Sequence, residues 1–292
     1  MREGLRPSFL MVMALFAGLP VAGQGGSTSV FLIGHSLVNH DMPQMLAALA
    51  EDAGITYSGG RQIINGANLQ YQWNNSHDAE GTDAREALPT GDWDVLVMTE
   101  AVPLDNHLTW SDTHGFAAQF HDLAIAANPD TRTYIYETWH CINSGLAAGC
   151  EWDDNDDVPW RERLEQDLPK WQGIADQLNS EIVGPDVRLV PAGQAMGLLH
   201  DRAEAGQIPG ISQAFDLYRD DIHLTDVGDY FVALVMFASI FQSSPEGLTY
   251  EISDQWGVPY DLPDGQTAQV MQALAWEVAQ GFEDSIFASR FE

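Results

Sequence analysis

Basic residues are scarce in this chain of 292 residues. Twelve Lys plus Arg stand against 43 Asp plus Glu, for a formal net charge of −31, and Lys170 is the only lysine. A surface of that sign repels phosphate backbones and anionic headgroups, which argues against nucleic acid and the membrane surface as partners. It suits a protein kept soluble in salty water, where like charges are screened within about 8–10 Å. Cysteine is nearly absent too: Cys141 and Cys150 stand alone, without the Cys-x-x-Cys or His spacing of a metal site. There is no Gly-rich phosphate loop, no dinucleotide fingerprint and no His-Glu-x-x-His, so neither a cofactor nor a metal is called for. Past the first two dozen residues no apolar run approaches the roughly 20 residues that cross a bilayer.

The opening of the chain reads as a secretory signal peptide over residues 1–23. Arg2 and Arg6 give a positive start, Leu10 to Val21 an apolar core, and Val21-Ala22-Gly23 a small-residue cleavage site. Export, to the periplasm or beyond, follows as an expectation. In an oxidising compartment Cys141 and Cys150 are expected to pair, closing a small loop worth about 2–3 kcal/mol. Residues 24–292 are expected to form a single domain, since about 270 residues suffice for one large α/β unit and no linker interrupts them.

Short apolar runs alternate with helical stretches, the pattern of a doubly wound parallel sheet. The runs at 29–34, 61–65, 94–99, 132–137 and 187–190 predict five strands. Most are rich in Val, Ile and Leu without interior charge, as strands covered on both faces must be. Helices are predicted over about 41–53, 113–127, 159–181, 193–205, 225–242 and 266–282. The long segments between them follow strands, where specificity loops belong.

The chemistry concentrates at two points. Phe31-Leu32-Ile33-Gly34-His35-Ser36 ends an apolar strand in a Gly and then a Ser, putting a hydroxyl where open α/β sheets hold their ligands. Far along the chain, Asp220-Asp221-Ile222-His223 sets an Asp three residues before a His, ahead of an apolar helix. Ser36 as nucleophile, His223 as its base and Asp220 as the group that orients the imidazole make a hydrolase. The amides of Ser36 and of Gly66, in Asn65-Gly66-Ala67-Asn68, are candidate oxyanion donors.

Together these blocks resemble the SGNH hydrolase superfamily, the GDSL-type esterases and lipases, across Ser29 to about Ser243. The first block is Gly34-His35-Ser36 with Asn39-His40-Asp41-Met42-Pro43 behind it. The second is Gly66, and the last is Asp220-x-x-His223 with the trailing Leu224-Thr225-Asp226-x-Gly228. The resemblance implies a flavodoxin-like three-layer α/β/α sandwich and a Ser-His-Asp ester hydrolase. Two departures stand out. His35 replaces the Asp or Asn usual before the nucleophile, and its simplest role is as a hydrogen-bonding substitute. The third-block Asn that completes the family's oxyanion hole is missing, because Glu100-Ala101-Val102 follows the third strand in its place; Asn106 is the nearest substitute. Glu100 is read either as a substrate contact or as a carboxylate satisfied by the backbone near Ser36, and Asp221 as a solvated neighbour of Asp220.

Nine tryptophans are many, and they cluster in the loops. Trp73 and Trp139, with His35 and Glu100, are the candidate substrate contacts, although packing of loops onto the sheet explains most indoles equally well. Asp153-Asp154-Asn155-Asp156-Asp157 looks like a calcium loop but lacks its Gly and distal Glu. The expected function is a secreted esterase removing small acyl groups, acetyl foremost, from small-molecule or polysaccharide esters. The alternatives are a carbohydrate-binding protein that keeps the fold without the chemistry, and a lipase.

Overall fold

Strand β1 (Ser27–Gly34) carries Val30, Phe31, Leu32 and Ile33, all fully buried. Alternation along a strand sends neighbours to opposite faces, so Val30 and Leu32 join one hydrophobic cluster while Phe31 and Ile33 join another. That requirement for two apolar faces makes β1 central and forces a helical layer on each side. The computed structural model describes residues 26–181 and 184–289. The expected leader over 1–23 lies outside the described residues.

Beside β1 run β2 (Thr56–Ile63), β3 (Glu80–Gly81), β4 (Val95–Met98), β5 (Arg132–Glu137) and β6 (Arg188–Pro191), in the order β3-β2-β1-β4-β5-β6. The five expected strands are present and mutually parallel. The sixth, β3, is a two-residue antiparallel edge against β2, so the sheet is larger than the expected five strands. β2 also starts at Thr56, earlier than the predicted 61–65, because its first half is polar and glycine-containing at a sheet margin where only a few positions are buried.

One face is covered by α1 (Asp41–Asp52), α7 (Ala192–Glu204), α8 (Asp226–Phe241) and α9 (Gly265–Ser289). The other carries α2 (Leu69–Asn74), α3 (Ala84–Ala87), α5 (Thr113–Ala127) and most of α6 (Trp160–Glu181), with α4 (Leu104–Trp110) preceding α5. α8 is buried on all sides from Tyr230 to Ile240, as a helix apolar all round must be. The chain leaves β1 toward β2, then returns to add β4, β5 and β6 on the opposite side. That reversal opens a crevice at the C-terminal end of β1, the switch point where such sheets hold ligands.

Candidate active site

Ser36 lies two residues past β1, directly at that crevice. A tight turn carries it: the His35 carbonyl accepts from the amides of Val38 (2.8 Å) and Asn39 (3.1 Å). Gly34 is required there, since a Cβ would collide with the Val38 side chain and press on Thr99. Tyr136, on β5, donates its hydroxyl to the Leu37 carbonyl at 3.0 Å. Asn39 then caps the start of α1, its side-chain oxygen accepting from the amides of Asp41 and Met42. The turn is fixed from both ends.

His223 reaches the same point from the opposite end of the sequence. Its Nε2 is 2.9 Å from Ser36 Oγ, and its Nδ1 is 2.8 Å from Asp220 Oδ2. The other Asp220 oxygen accepts from the backbone N–H groups of Ile222 and His223. Burial works to raise the Asp220 pKa, but these hydrogen bonds outweigh it and hold the carboxyl below its ordinary value. An ionised Asp220 keeps a proton on Nδ1 and leaves Nε2 as the acceptor facing the serine. The loop is anchored on both sides, with Arg219 N–H on the His223 carbonyl and Trp139 Nε1 on the Ile222 carbonyl at 2.8 Å.

The crevice is a cavity of about 280 Å³ lined by Ser36, Gly66, Ala101–Pro103, His140, the Cys141–Cys150 bridge and His223, among others. Gly66 adopts φ +69°, a left-handed conformation that disfavours side chains. Neither the Ser36 nor the Gly66 amide makes a hydrogen bond within the described residues, so both are available to a developing oxyanion. Asn106 is not. It sits on α4, its amide donates to the Trp152 carbonyl at 2.7 Å, and it does not line the cavity. The place of the third-block Asn is taken by Ala101, Val102 and Pro103, none of which carries a side-chain donor.

The candidate substrate contacts divide in the same way. His35 lines the cavity but is 3 % exposed, with Nε2 against the Glu100 carbonyl and Nδ1 accepting from Leu37 N–H. Burial pushes its pKa down to about 4, so it is a neutral hydrogen-bonding strut. Glu100 is buried, accepting from Leu69 N–H, Ala101 N–H and the Thr113 hydroxyl. Burial raises its pKa, and it serves the loops rather than a ligand. Trp73 packs edge-on against Phe120 in the second cluster, and Trp139 is fully buried against Tyr218. Neither indole lines the cavity. The indoles that are exposed are Trp110, Trp152 and Trp256.

The segment after β5 is held by the expected disulfide between Cys141 and Cys150, whose Cα atoms are 5.9 Å apart. Behind it runs a network that sequence reasoning missed. His140 Nε2 is 3.0 Å from Asp167 on α6, Arg163 contacts both Asp167 and Asp153, and Lys170 bridges Asp167 to Asp105. Burial favours protonation of Asp167, yet His140, Lys170 and Arg163 together hold it down at about 2. In the calcium-like run, Asp153 is paired with Arg163 and Asp156 accepts from Cys150 N–H. Among the described residues no group of three or more His, Cys, Asp or Glu stands close enough to hold a metal. Only the adjacency of His140 to Cys141 in sequence offered a hint of this wall.

No family model and no curated protein matches the sequence. Solved structures do. A DUF4886 family protein from Bacteroides uniformis superposes with a TM-score of 0.61 at 18% identity, covering 86% of this chain and 94% of that one. A carbohydrate esterase family 3 from Talaromyces cellulolyticus gives 0.49 at 14% identity over 74% and 97%. A GDSL-like lipase from Bacteroides thetaiotaomicron gives 0.44 at 16% over 74% and 86%. Likeness at such identities speaks for the fold alone, and at a TM-score of 0.61 the DUF4886 family protein shares the overall fold of this chain, a mostly parallel sheet between two helical layers.

Proposed function

We propose that the protein is a serine ester hydrolase that works through an acyl-enzyme on Ser36. The observation that carries this is the unbroken Ser36–His223–Asp220 hydrogen-bonded series at the floor of the cavity, beside two unengaged amides. Ser36 Oγ attacks the ester carbonyl carbon as its proton passes to His223 Nε2, and the amides of Ser36 and Gly66 receive the oxyanion. Collapse of the tetrahedral species expels the alcohol, which takes the proton back from His223. Water then attacks the acyl-serine with His223 again as base, releasing the carboxylic acid and restoring Ser36.

A cavity near the small end of the usual ligand-site range suits a short acyl group, acetyl foremost, over a long lipid chain. The exposed indoles and the acidic surface suit an exported enzyme working on carbohydrate esters in saline surroundings. No helix among the described residues is long and apolar enough to cross a membrane. Hydrolysis of p-nitrophenyl acetate by the protein and its Ser36→Ala variant tests the proposal. Turnover that disappears in the variant upholds it. If neither protein turns over simple or glycan-borne acetyl esters, a carbohydrate-binding role on the same fold replaces it.

A further inference from the structure

The walls of the cavity differ in chemistry. Ser36 and Gly66 present N–H donors for the carbonyl oxygen. The disulfide-pinned side and the His223 loop present acceptors: among the described residues Glu151 and Asp221 line the cavity and no Lys or Arg does, while Asp153, also in the lining, gives both its oxygens to Arg163. Glu151 and Asp221 are exposed and form no ion pair within the described residues. The nearby cations are occupied elsewhere, Arg163 by Asp153 and Asp167 and Lys170 by Asp105 and Asp167. His140 adds an independent sign of a ligand. It lines the cavity at 1 % exposure with its Nε2 3.0 Å from the Asp167 carboxylate, and neither ring nitrogen makes a hydrogen bond within the described residues. Between Glu151 and Asp153 stands Trp152, 80% exposed, with φ +65° and its carbonyl tied to Asn106.

We propose that this acidic wall, formed by Glu151 and Asp221 beside His140, is the subsite for the alcohol part of the ester and selects by charge. It takes donor-rich neutral or cationic alcohols, such as uncharged sugars and amino sugars, and rejects anionic ones such as uronates and sulfated sugars. The proposal rests on the ester-hydrolase reading above. Hydroxyl or ammonium hydrogens on the alcohol find acceptors in Glu151 and Asp221, whereas an added anion meets two carboxylates with no Lys or Arg among the described lining residues to receive it.

The test uses three matched acetates: phenyl acetate, para-acetoxybenzoate and para-(trimethylammonio)phenyl acetate. Each kcat/KM is divided by the ester's rate with hydroxide, which removes leaving-group reactivity. The expected order is cation, neutral, anion, with the extremes about tenfold or more apart at low ionic strength. The spread narrows in about 1 M salt. Glu151→Gln and Asp221→Asn each shrink it by about threefold. Equal normalised rates, preference for the anion, or a spread indifferent to both variants overturns the charge filter while leaving the hydrolase intact. Persistence of all three activities in Ser36→Ala strikes the hydrolase reading instead. Binding to Ser36→Ala, followed by tryptophan fluorescence, reads the filter without turnover. Phenyltrimethylammonium is expected to bind about tenfold more tightly than benzoate, and benzoate binding as tightly overturns the proposal.

Discussion

Trp139→Phe separates a positioning role from a ligand contact. The indole N–H holds the Ile222 carbonyl at 2.8 Å, one residue before the His223 imidazole that meets Ser36 at 2.9 Å. Phenylalanine keeps the aromatic contact with Tyr218 but leaves that carbonyl without its donor, at a cost of about 1–3 kcal/mol. Removing the second ring from a fully buried site adds about 1–2 kcal/mol. The carbonyl is only partly buried and can recruit water, so a total of about 2–4 kcal/mol is expected, or roughly 5–12 °C in Tm for a domain of this size. The catalytic effect comes from slack in the His223 loop. Misplacement by about 1 Å costs up to about a hundredfold, and a kcat lower by about tenfold or more with KM unchanged is expected. Thermal melts and p-nitrophenyl acetate kinetics measure both. A raised KM with kcat and Tm intact would show that Trp139 touches substrate, and would refute the positioning argument.

Three other outcomes follow from the geometry. His223→Gln removes the base that faces Ser36 and is expected to lower kcat on p-nitrophenyl acetate by about 10²–10⁴, so an unchanged kcat would count against His223 as base. Glu137 is fully buried, and burial raises its pKa to about 8 despite hydrogen bonds from Gln194 and Gly193. The folded state therefore holds a proton that the unfolded state has released, and stability declines as pH rises from about 4.5 to 8. Glu137→Gln should flatten that decline by about 1 kcal/mol per pH unit in denaturant titrations, and an unchanged slope would exclude Glu137 as its source. Replacing Cys141 and Cys150 by Ser removes a cross-link worth about 2–3 kcal/mol. A double variant with unaltered melting would mean that the Arg163–Asp153 pair already fixes the loop.

The layers were legible because strands such as β1, buried on both faces, leave uninterrupted apolar runs, and α5 and α6 leave a clear helical period. What escaped were elements too short for periodicity, namely α2, α3, α4 and the two-residue β3, together with the polar first half of β2. Ser36, Gly66, Asp220 and His223 stood out as candidates because each lies near a strand end or ahead of a helix start, and the fold brings Ser36, His223 and Asp220 into one hydrogen-bonded series. Trp73, Trp139 and Asn106 were misread for a common reason. Loop residues carry no period that tells which way they point, so a buried indole and an exposed one look alike in sequence. The Asp153–Arg163–Asp167–His140 network joins a loop to α6, and no local pattern announces such a contact.

The most direct measurement of the central claim is the intact mass of the protein after reaction with a fluorophosphonate, followed by peptide mapping. The account predicts one adduct, on Ser36, absent from Ser36→Ala and sharply slowed in His223→Ala. No adduct on the folded protein, or an adduct that persists in Ser36→Ala, would contradict it.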